Sequence, residues 1–389
     1  MATNGIIKER RIRISRRPFI KWWQKLIITI SAMLIAFLLF GVVSTIAAPG
    51  SFGEFYQLFF EGPFISFDAF LAVLWDAALL FIIAIALTPV FKMKFWNIGA
   101  EGQCLMGGLG AMIVLYFIAP HIPLFLALFL ELAFAIVFAV VWAVIPGIFK
   151  ALFNTNETLF TLMMNYIAIA LISLFISIWV TSGSQSFPLL TEGNLPKLGY
   201  KYIFNIIFVV IVSIIMVIYL KKTKHGYELS VVGASVNTAK YVGINVRKVI
   251  IRTMILSGAI CGLVGFLLVS GHHHTLSPNL AGGRGFTGVL IAWLGQFEPL
   301  NMLIYAVLVA IFQRGSTKAA SYVGINKSDF SAIVTGMFFL IVIATEFFVN
   351  YRIVFDEDSK LKHLIDKFLG LFKKKNKEPI EATNGKEGN

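Results

Sequence analysis

Charge is scarce in this sequence. Only 14% of its 389 residues are Asp, Glu, Lys or Arg, where a soluble domain carries roughly 25%. That deficit excludes an ordinary water-soluble globule and suits a chain solvated by lipid, whose outward side chains need no charge. Acids are scarcer than bases, 20 against 33, and the formal net charge is +13. In a soluble chain such an excess raises nucleic acid as a partner. Here the bases gather beside apolar runs, which points to membrane lipids and not to nucleic acid. There are two cysteines, Cys104 and Cys261, each inside an apolar run. They exclude a disulfide framework, and neither lies in a metal-spaced or redox pair, so both read as small buried apolar residues. The chain has no GxxxxGK[ST] phosphate loop and no nucleophile–base spacing. No nucleotide-hydrolysing site, other catalytic site or cofactor site is legible.

What the chain has in quantity is apolar length. Hydrophobic residues make up 58%, with 37 phenylalanines. A spanning helix needs ~20 mostly apolar residues. Ten runs qualify or nearly qualify, at about 26–48, 69–91, 99–118, 123–146, 158–181, 203–220, 250–271, 286–297, 299–313 and 330–350. The eighth and ninth are short and flank Pro299. They read either as two tilted helices or as one broken hairpin. The first 25 residues are basic, and the run after them is too long for a cleavable signal. With alternating spans, the cytoplasmic segments 1–25, 92–98, 147–157, 221–252 and 351–389 hold 27 of the 33 basic residues. Lys197, Lys201, Arg284, Arg314, Lys318 and Lys327 fall outside. This asymmetry places both ends in the cytoplasm and favours an even number of spans. Arg16, Arg17, Trp22 and Trp23, and an amphipathic stretch over 360–375, suit an anionic inner leaflet. The fold expected is all-α and polytopic. A basic N-terminal segment, 1–25, precedes a membrane domain, 26–350, with a cytoplasmic loop at 221–250. A basic tail, 351–389, ends in a solvated stretch.

Polar groups inside spans need reasons. Asn97, Glu101 and Gln103 sit with Gly99 and Gly102 at the start of the third run. They fit either interhelical hydrogen bonding with tight packing or a broken helix on a translocation path. Asn156 and Glu157 fit a helix cap and first turn; Asn165, two turns on, shares a face with Thr158 and Thr161 and needs another reason. His272, His273 and His274 are consecutive, so they diverge on a helix and read as a polar outer loop and not as a metal site. Gly282-Gly283-Arg284-Gly285 is not a phosphate loop. Gln296 lies at the break before Pro299.

Three motifs occur in order: Asn-Ile-Gly-Ala-Glu-Gly-Gln at 97–103; Asn-Glu-Thr at 156–158 with Met-Met-Asn-Tyr-Ile-Ala at 163–168; and Gly-Tyr-Glu-Leu at 226–229 with Val-Gly-Ala at 232–234 and Lys-Tyr-Val-Gly-Ile at 240–244. Together they resemble the membrane permease subunit of a bacterial ATP-binding-cassette importer, in the nucleoside and simple-sugar branch related to ribose and branched-chain amino-acid permeases. The resemblance spans about 65–350. It implies a multi-pass protein of the cell membrane that does not itself hydrolyse ATP. ATP and Mg would be used by a cytoplasmic ATP-binding subunit docked on 221–250, through Gly226, Tyr227, Glu228, Gly233, Ala234, Ala239, Tyr241 and Gly243. A second permease subunit would complete the pore, as a homodimer or heterodimer, and an external binding lipoprotein would deliver substrate. Where many relatives have an acidic residue and a proline after the Gly-Ala pair, this chain has Ser235, Val236 and Asn237. The expected substrate path includes Asn97, Glu101, Gln103, Asn156, Glu157, Asn165 and Gln296. The expected cargo is a nucleoside, with a ribose-like sugar, riboflavin or a branched-chain amino acid as alternatives. From a different class, a stand-alone ion-coupled transporter would need midplane carboxylates, and the apolar runs offer few acids, chiefly Asp76 and Glu131 besides Glu101. A lipid-modifying enzyme would need a catalytic cluster at one interface, and none is legible.

Overall fold

The computed structural model describes residues 12–16 and 52–355, apart from 181–182, 191–192, 197–198, 201 and 324–326, with scattered positions between 27 and 42. The first expected span, 26–48, therefore lies largely outside the described residues, and Trp22, Trp23 and the stretch 360–389 lie outside them altogether. Two compact units divide the chain, one from Met1–Leu39 with Met337–Asn389, the other Phe40–Gly336.

In the first unit, β1 (Ile12–Arg16) pairs antiparallel with β2 (Tyr351–Phe355), in a register that sets Ile14 opposite Ile353. The sequence analysis expected no strands. Both segments are short and rich in β-branched and aromatic residues, which suits an extended ladder.

The second unit is helical. Its elements are α1 (Phe52–Phe64), α2 (Phe67–Lys92), α3 (Ala100–Phe117), α4 (Leu124–Phe153), α5 (Glu157–Trp179), α6 (Ile203–Lys222), α7 (Lys224–Ala234), α8 (Val236–Tyr241), α9 (Val246–Leu268), α10 (Arg284–Leu294) and α11 (Pro299–Val323). A last helix, α12 (Lys327–Asn350), runs from this unit into the first. Local chemistry sets many boundaries. Side chains of Ser66, Asn156, Thr223, Ser235 and Asn245 accept from backbone N–H groups at the starts of α2, α5, α7, α8 and α9, as N-caps do. Asn154, at φ 51°, closes α4. Among the described residues, seven helices are long and apolar enough to cross a membrane: α2, α3 with the short turn after it, α4, α5, α6, α9 with the turn after it, and α11 to Ala320. Residues 329–345 of α12 form a shorter apolar stretch.

Two expected spans need correction. The run 286–297 is not a full span: α10 has 11 residues, and the chain enters it through non-helical backbone. Gly288 packs on Ile83, and Phe297 lies 5.8 Å from Phe91, so from Gly288 onward the chain follows the second half of α2. The run 299–313 continues to Val323 over 25 residues. The segment is a broken hairpin with one short arm and one long arm. In the loop 221–250, Ser235 ends α7 and caps α8, so the short helix α8 lies between Gly233 and Gly243.

α2, α3 and α9 are mostly buried, while α4, α5 and α6 turn broad apolar faces outward. A seam of small residues brings the inner helices close. A Cβ on Gly262 would stand 2.5 Å from the Ala135 carbonyl oxygen, and one on Gly265 would stand 2.4 Å from that of Cys104. Ala135, Ala139 and Ala143 line the facing side of α4 and are fully buried. In lipid, where no hydrophobic force drives helices together, such small-residue contact gives the packing energy.

Candidate functional site

The polar cluster at 97–103 marks a discontinuous entry into α3. From Phe95 to Gly99 the chain is not helical, so its backbone needs partners from elsewhere. Asn97 Oδ1 accepts from the N–H of Gly99 (2.9 Å). Thr161 Oγ1 accepts from the N–H of Ile98 (3.1 Å). Asn165 spans the junction: its Nδ2 donates to the Ile98 carbonyl (2.9 Å) and its Oδ1 accepts from the Gly102 N–H (2.8 Å). This answers why an amide stands two turns inside α5. It replaces the backbone bonds that α3 lacks at its start.

Glu101 performs the same service for α10. Its two carboxylate oxygens accept from the N–H groups of Gly283 and Gly285, each at 2.7 Å. A carboxylate at a helix N-terminus meets unsatisfied donors and the positive end of the dipole. The Gly-Gly-Arg-Gly sequence is what this junction needs. Gly282 and Gly283 take φ of 58° and 77°, which L side chains rarely adopt. A Cβ on Gly285 would lie 2.2 Å from the Glu101 backbone nitrogen.

Charge surrounds that junction. Asp76, on α2 and nearly buried, bonds Arg284 Nη2 at 3.2 Å and Arg314 Nε at 2.6 Å. The sequence analysis assigned both arginines to outer segments. They sit instead on α10 and inside α11, where a buried carboxylate partners them. A cation can remain within an apolar helix when it is paired in this way. Two acids and two guanidinium groups thus meet where α2, α3, α10 and α11 converge, with formal charges that cancel.

Toward the far end of α9 the helix loosens into a π-helical turn, Val269–His273. Ser270 donates to Glu131 on α4 at 2.5 Å, and Asn205 on α6 donates to the Gly271 carbonyl at 3.0 Å. The histidines are not a simple polar loop. His272 packs against Trp75 and Tyr202, with ring centroids 6.2 and 5.4 Å away, as one wall of an aromatic cluster. Residues on either side of 191–192 lie over this turn, with Phe187, Leu190 and Leu195 N–H groups bonded to carbonyls of Leu276, His274 and Ser270.

The expected path residues divide accordingly. Asn97, Glu101 and Asn165 come together around the starts of α3 and α10, and Gln103 is buried one turn into α3. Asn156 caps α5, and Glu157 pairs with Lys150 at 2.7 Å. Gln296 is exposed in the turn between α10 and α11 at φ 52°, away from that cluster. Asp76, Arg284 and Arg314 were missed as a set. The available signal was three charges in apolar surroundings, which burial tolerates only when they meet.

The loop 221–250 folds onto the membrane helices. Leu229, Val232 and Ala239 pack with Val90, Met93, Phe95, Ala143 and Met254. Gly226 and Gly233 are close-approach points: a Cβ on either would lie 1.9 Å from a backbone oxygen, of Leu220 on α6 or Lys92 on α2. Glu228 pairs with Arg252 on α9 at 3.1 Å. Ala239 is buried, Ala234 is exposed, and Gly243 turns at φ 82°. Tyr227 and Tyr241 face outward, 67% and 92% exposed, beside Val236 and Val242. A segment anchored on one side and apolar on the other is suited to transmit a push from a partner.

Residues 69–343 match the family model described as the permease component of the branched-chain amino acid transport system. The chain is 26% identical over 259 residues to a nucleoside ABC transporter permease of Lactococcus lactis, covering 61% of this chain and 69% of that one. It is 29% identical over 251 residues to a guanosine ABC transporter permease of Bacillus subtilis, covering 60% and 69%. A glucose ABC transporter permease of Haloferax volcanii is 24% identical over 297 residues, covering 72% and 77%. No solved structure gives a significant match. The family match over most of the chain, with seven membrane-length helices, establishes a multi-pass membrane protein that belongs to the branched-chain amino acid transport system permease family.

Proposed function

We propose that this chain is the pore-forming subunit of an ATP-driven importer, and that its cargo is a nucleoside. The observation that carries the cargo is the similarity to the nucleoside and guanosine permeases. The polar inventory supports it. Glu101, Asp76, Arg284 and Arg314 are engaged with one another or with backbone, so this charged cluster is not left open to an ionic substrate. Buried polar atoms without protein partners remain on neutral groups at the start of α3 and beside it: Asn97 Nδ2, Gln103 Oε1 and Trp142 Nε1. Leaving such a group unmade costs about 1–3 kcal/mol. Neutral donors and acceptors near aromatic rings suit a ligand with hydroxyls, ring acceptors and an apolar face.

In this scheme a cytoplasmic ATP-binding subunit docks on 221–250 and uses ATP and Mg. The chain holds no cofactor of its own, a second permease subunit completes the pore, and an external lipoprotein delivers cargo. Hydrolysis moves α7 and α8. The helices they rest on tilt, and the outer side closes as the inner side opens, a hinge or shear transition between two states. A simple sugar is the second reading, favoured by the glucose permease that covers 72% of this chain. The test is uptake of radiolabelled purine and pyrimidine nucleosides in cells with and without this chain. Uptake lost on deletion, and competed by other nucleosides but not by glucose or ribose, is the expected result. Unchanged nucleoside uptake with lost sugar uptake overturns it for the second reading.

A further inference from the structure

One buried side chain in the cytoplasmic loop has no place in docking or in the substrate path. His225, at the start of α7, is 2% exposed. Its Nδ1 lies 3.1 Å from the Tyr219 hydroxyl on α6, and its Nε2 lies 3.1 Å from Thr253 Oγ1 on α9. The direction of the proton chain follows from the donors available. The Thr253 hydroxyl has one hydrogen and donates it to the Val249 carbonyl at 2.7 Å. Toward the ring it therefore accepts, so Nε2 carries the hydrogen and Nδ1 accepts from Tyr219. A neutral imidazole satisfies every group in the chain Tyr219, His225, Thr253, Val249. Burial, and then Arg252, push the imidazole down to about 4, so it stays neutral at any cellular pH.

The other ties of α7 are of three kinds. Leu229 and Val232 pack with Val90, Met93, Phe95 and Met254, and apolar packing is non-directional. The Glu228–Arg252 pair is at the rim, with the arginine side chain 44% exposed, and pairs of that sort hold weakly. The contacts of Gly226 and Gly233 are steric; they resist approach but do not hold against a pull. Among the described residues of α7, only the imidazole is buried, directional and bonded to two helices at once.

We propose that His225 is a positioning residue that makes α7 and the cytoplasmic ends of α6 and α9 move as one body, so that displacement of the docking loop reaches both helices. This deepens the proposed function and rests on 221–250 being the ATPase-docking segment. A chain lacking the imidazole keeps its docking surface, because Tyr227, Val236 and Tyr241 are on the outward side, but passes motion on poorly.

The experiment is reconstitution of the full complex in proteoliposomes, reading ATP hydrolysed per cargo molecule imported. His225→Ala retains the ATP-binding subunit and raises that ratio at least ~5-fold, the low end of ordinary coupling energies. His225→Gln, which keeps a donor and an acceptor, recovers part of it. Tyr219→Phe and Thr253→Val each raise it by less. An unchanged ratio in His225→Ala, with uptake and hydrolysis falling together, is the signature of a merely structural role and overturns the proposal. If the wild-type chain recruits no ATP-binding subunit, the functional reading fails, and the link is read on the purified chain by hydrogen exchange. In His225→Ala, protection at 216–222 and 249–254 then falls together with 224–234. A fall confined to 224–234 overturns the proposal.

Discussion

Replacing Glu101 with Gln should loosen α10 while leaving the shape of the site almost unchanged. The carboxylate accepts two N–H bonds at 2.7 Å, and hydrogen bonds to a charged group contribute about 1.5–3 kcal/mol each. Gln keeps one oxygen for one glycine and turns an NH2 group toward the other. One bond is lost, a donor faces a donor, and the interaction with the helix dipole, worth up to ~2 kcal/mol in buried geometry, disappears. The removed charge also leaves Asp76 alone against Arg284 and Arg314. A loss of roughly 3–5 kcal/mol follows by combining one charge-assisted bond with the dipole contribution. The assay is thermal unfolding of the purified protein in detergent, with uptake measured in parallel. Glu298→Gln is the control, since Glu298 is exposed in the turn after α10. The expected result is a lower midpoint and lost uptake for Glu101→Gln, with Glu101→Asp between it and wild type, and no change for the control. A Glu101→Gln protein with wild-type midpoint and uptake refutes the capping argument, because the one feature removed would then hold nothing.

Asp76→Asn leaves two arginines without their carboxylate and should cost about 3 kcal/mol, as breaking a buried pair does; adding Arg314→Gln to it should restore part of the loss, measured as a double-mutant cycle on the unfolding midpoint. Gly262→Leu places atoms where the first carbon already stands 2.5 Å from the Ala135 carbonyl, so it should separate α4 from α9, cost about 1–3 kcal/mol or more and reduce the yield of folded protein on size exclusion. His225 gives a pH dependence of definite sign. Its folded value is pushed down to about 4, by burial first and then Arg252, against roughly 6.5 in an unfolded chain. The unfolded chain therefore takes the proton first. The stabilisation is present above pH ~6.5 and is lost as pH falls toward 4, by about 2 kcal/mol at pH 5 and about 3 kcal/mol at pH 4. Unfolding midpoints at pH 8, 6.5 and 5 check this, and His225→Gln should flatten the acid side of the curve.

The long spans were legible because a bilayer enforces one signal, about 20 apolar residues in a row, and α2, α4, α5 and α6 obey it with little interruption. α10 was not legible as a half-length helix. The sequence over 286–297 is apolar at both ends, and its apolar pattern does not say that the backbone before it is a run of turns. What distinguishes it is Glu101, some 180 residues earlier, and a contact at that separation is invisible to any window. Arg284 and Arg314 were placed by the rule that counts charges between apolar runs, and that rule cannot see Asp76 on another helix. Asn165 was half legible: its helical face was evident, its partner was not. The ladder of β1 with β2 pairs two segments more than 330 residues apart, each too short to stand out alone. The 221–250 loop was expected, by resemblance, to be a docking element; its two-helix form depends on Ser235, whose capping role was hidden by comparison with relatives that carry an acid there.

The two discontinuities share one logic. A helix that begins inside a membrane exposes donors that lipid cannot satisfy, so each break must recruit a polar side chain from another helix. α3 recruits Asn165 and Thr161 from α5, and α10 recruits Glu101 from α3. The recruits form a series, α5 holding α3 and α3 holding α10, with Asp76 then tying α10 and α11 to α2. Displacement at any member of the series must be taken up by the next, because an unmade bond at either break costs about 1–3 kcal/mol or more. The polar residues that looked out of place in apolar runs are, in this arrangement, the joints between helices. A network with discrete bonding partners changes by switching between arrangements and not by continuous deformation, which is the kind of element that alternating access requires.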